Sequence, residues 1–181
     1  IVNIILKGYG QTHQGFYQWG RTHEKDGLAR HTEVMAAMPL PNDGFANLVL
    51  SRRDRQASNR ANAAPQDGGQ PKLHFGDAQA LDESLAFNAE LPNEDILMYA
   101  HGHYNQRKGS AGAFYRYADD GRNIQQIYPD GFLPLLEPRI KDYSVTLGVK
   151  GVLDNGANWD LSYTRGENDF HFYVRNSLNR S

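Results

Sequence analysis

Two histidines, His101 and His103, stand two residues apart, so on a strand they project from one face at a spacing that lets them share a metal ion. The sequence places no carboxylate or third histidine to complete such a site, and the plainer reading is two polar residues of one strand face. Asp119-Asp120 has the composition of a paired carboxylate for general acid–base work or cation binding. Followed by Gly121 inside a long connection, it reads instead as a solvated turn. Asp67-Gly68-Gly69 lacks the preceding strand and following helix that a phosphate-binding loop requires, and reads as a flexible turn. There is no cysteine, which removes thiolate metal sites, disulfides and thiol nucleophiles together. No catalytic residue, metal site or cofactor site is therefore expected, and no enzyme. The remaining chemistry is a ligand surface: Tyr115, Arg116, Tyr117, Arg122 and Tyr128 concentrate aromatic area and guanidinium donors in one connection. Such groups supply contact area and charge-assisted hydrogen bonds to an anionic ligand. The alternative is that they pack the connection itself or touch lipid headgroups. Arg52, Arg53 and Arg55 carry the same two readings.

The composition restricts what can hold these residues. Over 181 residues the hydrophobic share is 39% and the mean hydropathy is −0.68. No segment approaches the roughly 18 consecutive apolar residues of a transmembrane helix. A membrane β-barrel is compatible with the same values, because its strands alternate lipid-facing with lumen-facing residues and its loops are polar. Lys plus Arg at 19 against Asp plus Glu at 21, interspersed along the chain, do not make a nucleic-acid footprint. Ile1 to Lys7 has neither the basic start nor the small-residue cleavage site of a signal peptide.

The elements that must position the candidate residues are strands. Tyr143, Val145, Leu147, Val149 and Gly151 alternate with Asp142, Ser144, Thr146, Gly148 and Lys150, giving one apolar and one polar face. Leu85, Phe87, Ala89 and Leu91 oppose Ser84, Asn88 and Glu90 in the same way. Trp159, Leu161 and Tyr163 oppose Asp160, Ser162 and Thr164, and Ala46, Leu48 and Leu50 oppose Asn47, Ser51 and Arg53. Phe45 and Val49 interrupt the last pattern. About seven strands are expected.

Their connections alternate in length. Pro41-Asn42-Asp43-Gly44, Pro92-Asn93-Glu94-Asp95 and Asp154-Asn155-Gly156-Ala157 are built from residues that preset a turn or tolerate positive φ. Between them run 55–81 and 108–139, far longer than the usual connection of about 4 to 6 residues. A shorter polar link passes through Glu24-Lys25-Asp26-Gly27. In an up-and-down antiparallel sheet all the tight turns then fall at one end and all the long loops at the other, which is the layout of an outer-membrane barrel. Trp159 and Phe45, each just after a tight turn, sit where an interfacial aromatic girdle is expected.

Three stretches resemble the TonB-dependent outer-membrane receptors. Ile1-Val2-Asn3-Ile4-Ile5-Leu6-Lys7 resembles the last strand of their plug domain. Pro39-Leu40-Pro41-Asn42-Asp43-Gly44-Phe45-Ala46-Asn47-Leu48, followed by Arg53-Asp54-Arg55 and Ser58-Asn59-Arg60, resembles a first periplasmic turn and the rising strand after it. Gly112-Ala113-Phe114-Tyr115-Arg116, continuing to Ile127-Tyr128-Pro129-Asp130-Gly131-Phe132-Leu133-Pro134, resembles an extracellular loop. One departure is that Lys7 leads almost directly into Tyr9-Gly10-Gln11-Thr12, where family members have a longer run.

The resemblance implies residues 1–7 as the end of the plug and 8–181 as the N-terminal part of an all-β, antiparallel, up-and-down transmembrane β-barrel. About seven of the family's roughly 22 strands would be present. It further implies a bacterial outer-membrane location and TonB-energised uptake of a scarce nutrient such as a ferric siderophore, in which cationic loops suit an anionic metal chelate. The expected partners are the remainder of the barrel and plug, TonB through a segment outside this sequence, and outer-membrane lipid. The rival expectation is a soluble all-β ligand- or carbohydrate-binding module, whose apolar faces would meet in one core. The direction in which Tyr143, Val145, Leu147 and Val149 face separates the two.

Overall fold

Alternating sequences that cannot bury both faces pair edge to edge, and the chain does this six times in succession, joining seven strands. The computed structural model describes residues 6–179. The strands are β1 (Gln14–Gly20), β2 (Ala29–Leu40), β3 (Gly44–Arg55), β4 (Gln79–Asn93), β5 (Ile96–Gly112), β6 (Leu135–Val152) and β7 (Asn158–Arg175). They form a single antiparallel sheet in sequence order, each strand hydrogen-bonded to the next. The only helical element among the described residues is one 3-10 turn, Pro65–Asp67. No described helix is long and apolar enough to cross a membrane. The expected plug strand over residues 1–7 lies mostly outside the described residues.

Turn chemistry fixes the register. Asn42 and Asp43 both take positive φ, 57° and 58°, and the Gly44 amide donates to the Pro41 carbonyl at 3.0 Å, a tight reversal that side chains of this type tolerate. Glu94 (φ 50°) and Gly156 (φ 82°) do the same between β4 and β5 and between β6 and β7. At the other end the connections are 21–28, 56–78 and 113–134. The strands extend further into the two long stretches than their alternation alone reaches: β5 continues to Gly112, and β6 begins at Leu135.

Register assigns every strand residue to a face. One face carries His31, Glu33, Asn47, Ser51, Arg53, Asp82, Ser84, Asn88, His101, His103, Asn105, Arg107, Asp142, Ser144, Thr146 and Ser162. The other carries Val34, Ala36 and Met38, then Leu48 and Leu50, Leu85 to Leu91, Met98 to Tyr104, Tyr143 to Val149, and Trp159 to Tyr163, each at alternate positions. The usual arrangement is inverted. On the polar face Met35 and Asn47 are each 3% exposed, whereas on the apolar face Leu147 is 55% and Leu161 73% exposed. Met35, Phe45 and Phe132 are the only buried large apolar residues among those described, so the sheet does not fold its apolar side into a core. Phe45 corrects one expectation. It pairs with Pro39 and Glu90 on the polar face and is buried, so it cannot belong to an outward girdle, whereas Trp159 does lie on the apolar face.

The sheet is open. β1 and β7 are its edges, and the 18 residues of β7 present a long row of backbone donors and acceptors with no strand on their far side among the described residues.

Candidate functional site

The polar face and the loops at its upper end form one continuous surface, built in three tiers. The lowest lies near the tight turns, where the Lys7–Gly8 backbone crosses the face. The Asn47 side-chain amide donates to the Lys7 and Gly8 carbonyls at 2.8 and 3.2 Å, and that of Asn88 donates to the Lys7 carbonyl at 2.7 Å. Asn47 and Asn88 are directly opposite each other on β3 and β4, so two amides converge on one peptide. The Lys7 ammonium reaches Gln14 Oε1 at 3.1 Å. The Lys7–Gly8 backbone is thereby fastened to the polar face of the sheet.

The middle tier is a ladder of ionised and polar pairs across β2 to β6. Arg107 holds Asp82 through two nitrogens, a bidentate geometry that guanidinium favours. Asp142 accepts from Asn105 at 3.0 Å and lies 3.3 Å from His103 Nε2. His31 lies 3.1 Å from Ser51 Oγ, and Arg53 Nε donates to His31 Nε2 at 3.2 Å. Beside these pairs a cleft of about 750 Å³ runs along the long-loop ends of the strands, with Gln18, His31, Arg53, Asp82, Arg107 and Ser110 on its walls among alanines, glycines and Pro138. Fixed donors and acceptors around such a volume suit a polar or charged guest. His101 shares the face with His103 but stacks on Tyr99, and no three potential metal ligands converge among the described residues.

The uppermost tier is an ordered loop cap. Arg60 grips Asp26 with two nitrogens at 2.7 and 2.9 Å and reaches Thr22 Oγ1 at 2.8 Å, while the Asn59 amide donates to Asp26 at 3.0 Å. These contacts, the Arg60 guanidinium foremost, hold the Asp26 carboxyl well below the usual carboxylate range. Asn59 and Arg60 also pair with Leu73 and Phe75, so Ser58-Asn59-Arg60 ties the 21–28 link to the 56–78 loop. Asp67, expected in a flexible turn, is instead buried. It accepts from the Ala64 amide at 2.7 Å and from the Tyr117 hydroxyl at 2.8 Å. Its carboxyl is lowered chiefly by the Ala64 amide, and the Tyr117 hydroxyl is raised by the carboxylate beside it.

Each candidate ligand residue has a defined place in this cap. Tyr115 donates its hydroxyl to the Asp130 carbonyl at 2.9 Å and meets Tyr117 edge-on at 5.1 Å. The Lys72 ammonium lies over both rings, 5.3 and 5.9 Å from their centroids. The Arg116 backbone pairs with Phe132, against which Tyr128 packs at 4.4 Å. Arg122 forks onto Asp120 at 2.8 and 2.6 Å, and this holds the Asp120 carboxyl well below its ordinary range. The five therefore share one loop, with Tyr117 bound to a second. No protein-family model, curated protein or solved structure matches the chain. The functional argument accordingly rests on this geometry. Sequence reasoning missed the role of Asn47, Asn88, Asp82 and Arg107, because it is created by strand register; alternation gives only the face of each.

Proposed function

We propose that the chain is a section of the wall and loop cap of an outer-membrane β-barrel receptor of the TonB-dependent type, which takes up a scarce nutrient such as a ferric siderophore. The observation that carries this reading is the inverted sheet: its apolar face exposes Leu50, Leu147, Leu161 and Tyr163, and its polar face holds the buried Asn47 amide and the Arg107–Asp82 pair. In water an exposed apolar face of this extent is unfavourable by about 25 cal/mol per Å²; against lipid it is the expected surface. The apolar positions from Met98 to Tyr104 run about 20 Å along their strand, at roughly 3.4 Å per residue. Both tryptophans of the chain lie on this face, Trp19 beside the long-loop end and Trp159 beside a tight turn. That suits two interfacial belts.

The TonB-dependent assignment is supported by the order of tight turns and long loops and by the passage of Lys7–Gly8 over the polar side, as a chain leaving a plug inside a lumen would pass. In this reading further strands close the edges left by β1 and β7, the loop cap around Tyr115 and Tyr117 receives the anionic chelate, and TonB acts through another part of the protein. The chain does no chemistry of its own. Refolding tests the membrane reading: circular dichroism and sedimentation should report aggregation in plain buffer and recovered strand structure in detergent micelles. A monomeric, cooperatively unfolding β-protein in buffer would instead establish a soluble binding module.

A further inference from the structure

On β5 and β6 the outward face changes to charge beyond Tyr104 and Tyr143, toward the long loops; on β7 charge begins sooner, at Arg165 opposite Val145 and Glu167 opposite Tyr143. Tyr104 and Tyr143 are directly opposite each other on β5 and β6; the next outward pair is Gln106 with Lys141, and the next is Lys108 with Arg139. Lys108, Arg139 and Lys141 are all exposed. Lys108 and Arg139 are like charges directly across a ladder, an arrangement that repels unless an anion lies between them. Across the other side of β6, Arg139 faces His171 and rests on the Tyr173 ring at 4.9 Å, while Lys141 faces Asp169; Glu137, two residues from Arg139 on the same face, lies 3.5 Å from Arg175, and Glu167 accepts from the Tyr143 hydroxyl at 3.3 Å. Asp169 is itself 3.0 Å from His171. Other charges on this outward band have partners: Arg52 reaches Glu83 at 2.7 Å, Arg175 lies 3.5 Å from Glu137, and Arg30 is opposite Asp54. The excess is local to β5 and β6.

The position of the cluster selects its partner. At about 3.4 Å per residue, Lys141 and Arg139 lie roughly 7 and 14 Å along the strand beyond Tyr143, within reach of the headgroup layer that flanks the hydrocarbon. We propose that Lys108, Arg139 and Lys141 form an outward-facing site for the phosphate of a lipid headgroup, placed at the loop-side edge of the apolar belt. The inference rests on the membrane reading above and adds to it one lipid class and one site. Cross-strand neighbours have Cβ atoms about 5 Å apart, so three cations can converge on one phosphate group with charge-assisted donors.

The test uses the full-length protein reconstituted in vesicles of phosphatidylcholine with added lipid A, solubilised gently and assayed by native mass spectrometry for retained lipid. The unaltered protein should retain lipid A in preference to phosphatidylcholine. A triple variant, Lys108→Gln with Arg139→Gln and Lys141→Gln, should lose that preference on the order of 100-fold, since each surface cation contributes about 1 kcal/mol toward an anionic headgroup. Quenching of tryptophan fluorescence by brominated phosphatidylcholine, read in parallel, reports insertion independently. Equal retention of the two lipids, or an unchanged preference in a triple variant that is still quenched, overturns the site and leaves the membrane reading standing. Displacement of lipid A by inorganic phosphate at matched concentration also overturns it, because the site would then recognise free phosphate. An unaltered protein that is never quenched overturns both.

Discussion

At the scale of single residues the loop cap is the most tightly specified part of the molecule. Asp26 accepts from Arg60, Thr22 and the Asn59 amide, so its charged form is favoured in the folded state. A lowered folded pKa means that the contribution is complete above the ordinary value of 3.8 and is lost as pH falls toward the folded value. The amide resonance of Asn59 should accordingly hold its position from neutral pH through the range near 4 where an ordinary carboxylate titrates, and shift only well below it. A shift centred near pH 6 would place control of this node elsewhere. Gly131 is a second such point: its φ is 88°, and a Cβ there would approach the Arg116 carbonyl oxygen to 2.2 Å. Gly131→Ala should destabilise the 113–134 loop by about 1–3 kcal/mol, seen as faster amide exchange at Arg116 and Phe132. None of these partners was legible in advance. Tyr117 and Asp67 are 50 residues apart, and they meet only because the strands carry their two loops to the same end of the sheet.

Elements tell the opposite story, since their faces follow from alternation. Asp142 to Gly151 alternates without interruption, and β6 presents the faces read from it. β1 and β2 were not delimited, because Phe16, Tyr17 and Trp19 put aromatic residues on both faces and Ala29–Leu40 mixes charge with small apolar residues. The girdle expectation for Phe45 rests on its position just after the turn, whereas the alternation that puts Ala46, Leu48 and Leu50 on one face puts Phe45 with Asn47 on the other. The turn is itself testable. Asp43→Val forces a β-branched residue to a φ of 58° and should cost about 1–2 kcal/mol in detergent unfolding, whereas Asp43→Gly should be close to neutral. The faces are tested by neighbours on β7. Leu161→Arg, one alternate position in from the belt at Trp159, should lower stability in a bilayer by about 1–2 kcal/mol, and Ser162→Arg should cost little, because lipid-facing and lumen-facing positions respond differently to charge. In a water-facing sheet both substitutions would fall within about 0.5 kcal/mol of neutral.

At the scale of the whole molecule, seven strands in sequence order with two open edges do not make a finished surface. In the proposed reading the long backbone edge of β7 is met by further strands and the exposed apolar side by lipid. The topology adds a vectorial expectation. Gln126 lies at the long-loop end and Asp154 at the tight-turn end, both exposed, and the chain contains no cysteine. In intact cells Gln126→Cys should react with a membrane-impermeant maleimide, and Asp154→Cys should react only after the outer membrane is opened. The central claim is that the apolar side of this sheet meets lipid, and spin labels on β6 test it most directly. With single cysteines at Val145, Leu147 and Val149, and then at Ser144 and Thr146, collision rates with oxygen and with a water-soluble nickel chelate are measured on the protein in bilayers. Lipid-facing labels at the three odd positions should favour oxygen, with the even positions reversing the ratio. An identical ratio at all five, or odd positions that favour the chelate, would contradict the membrane wall.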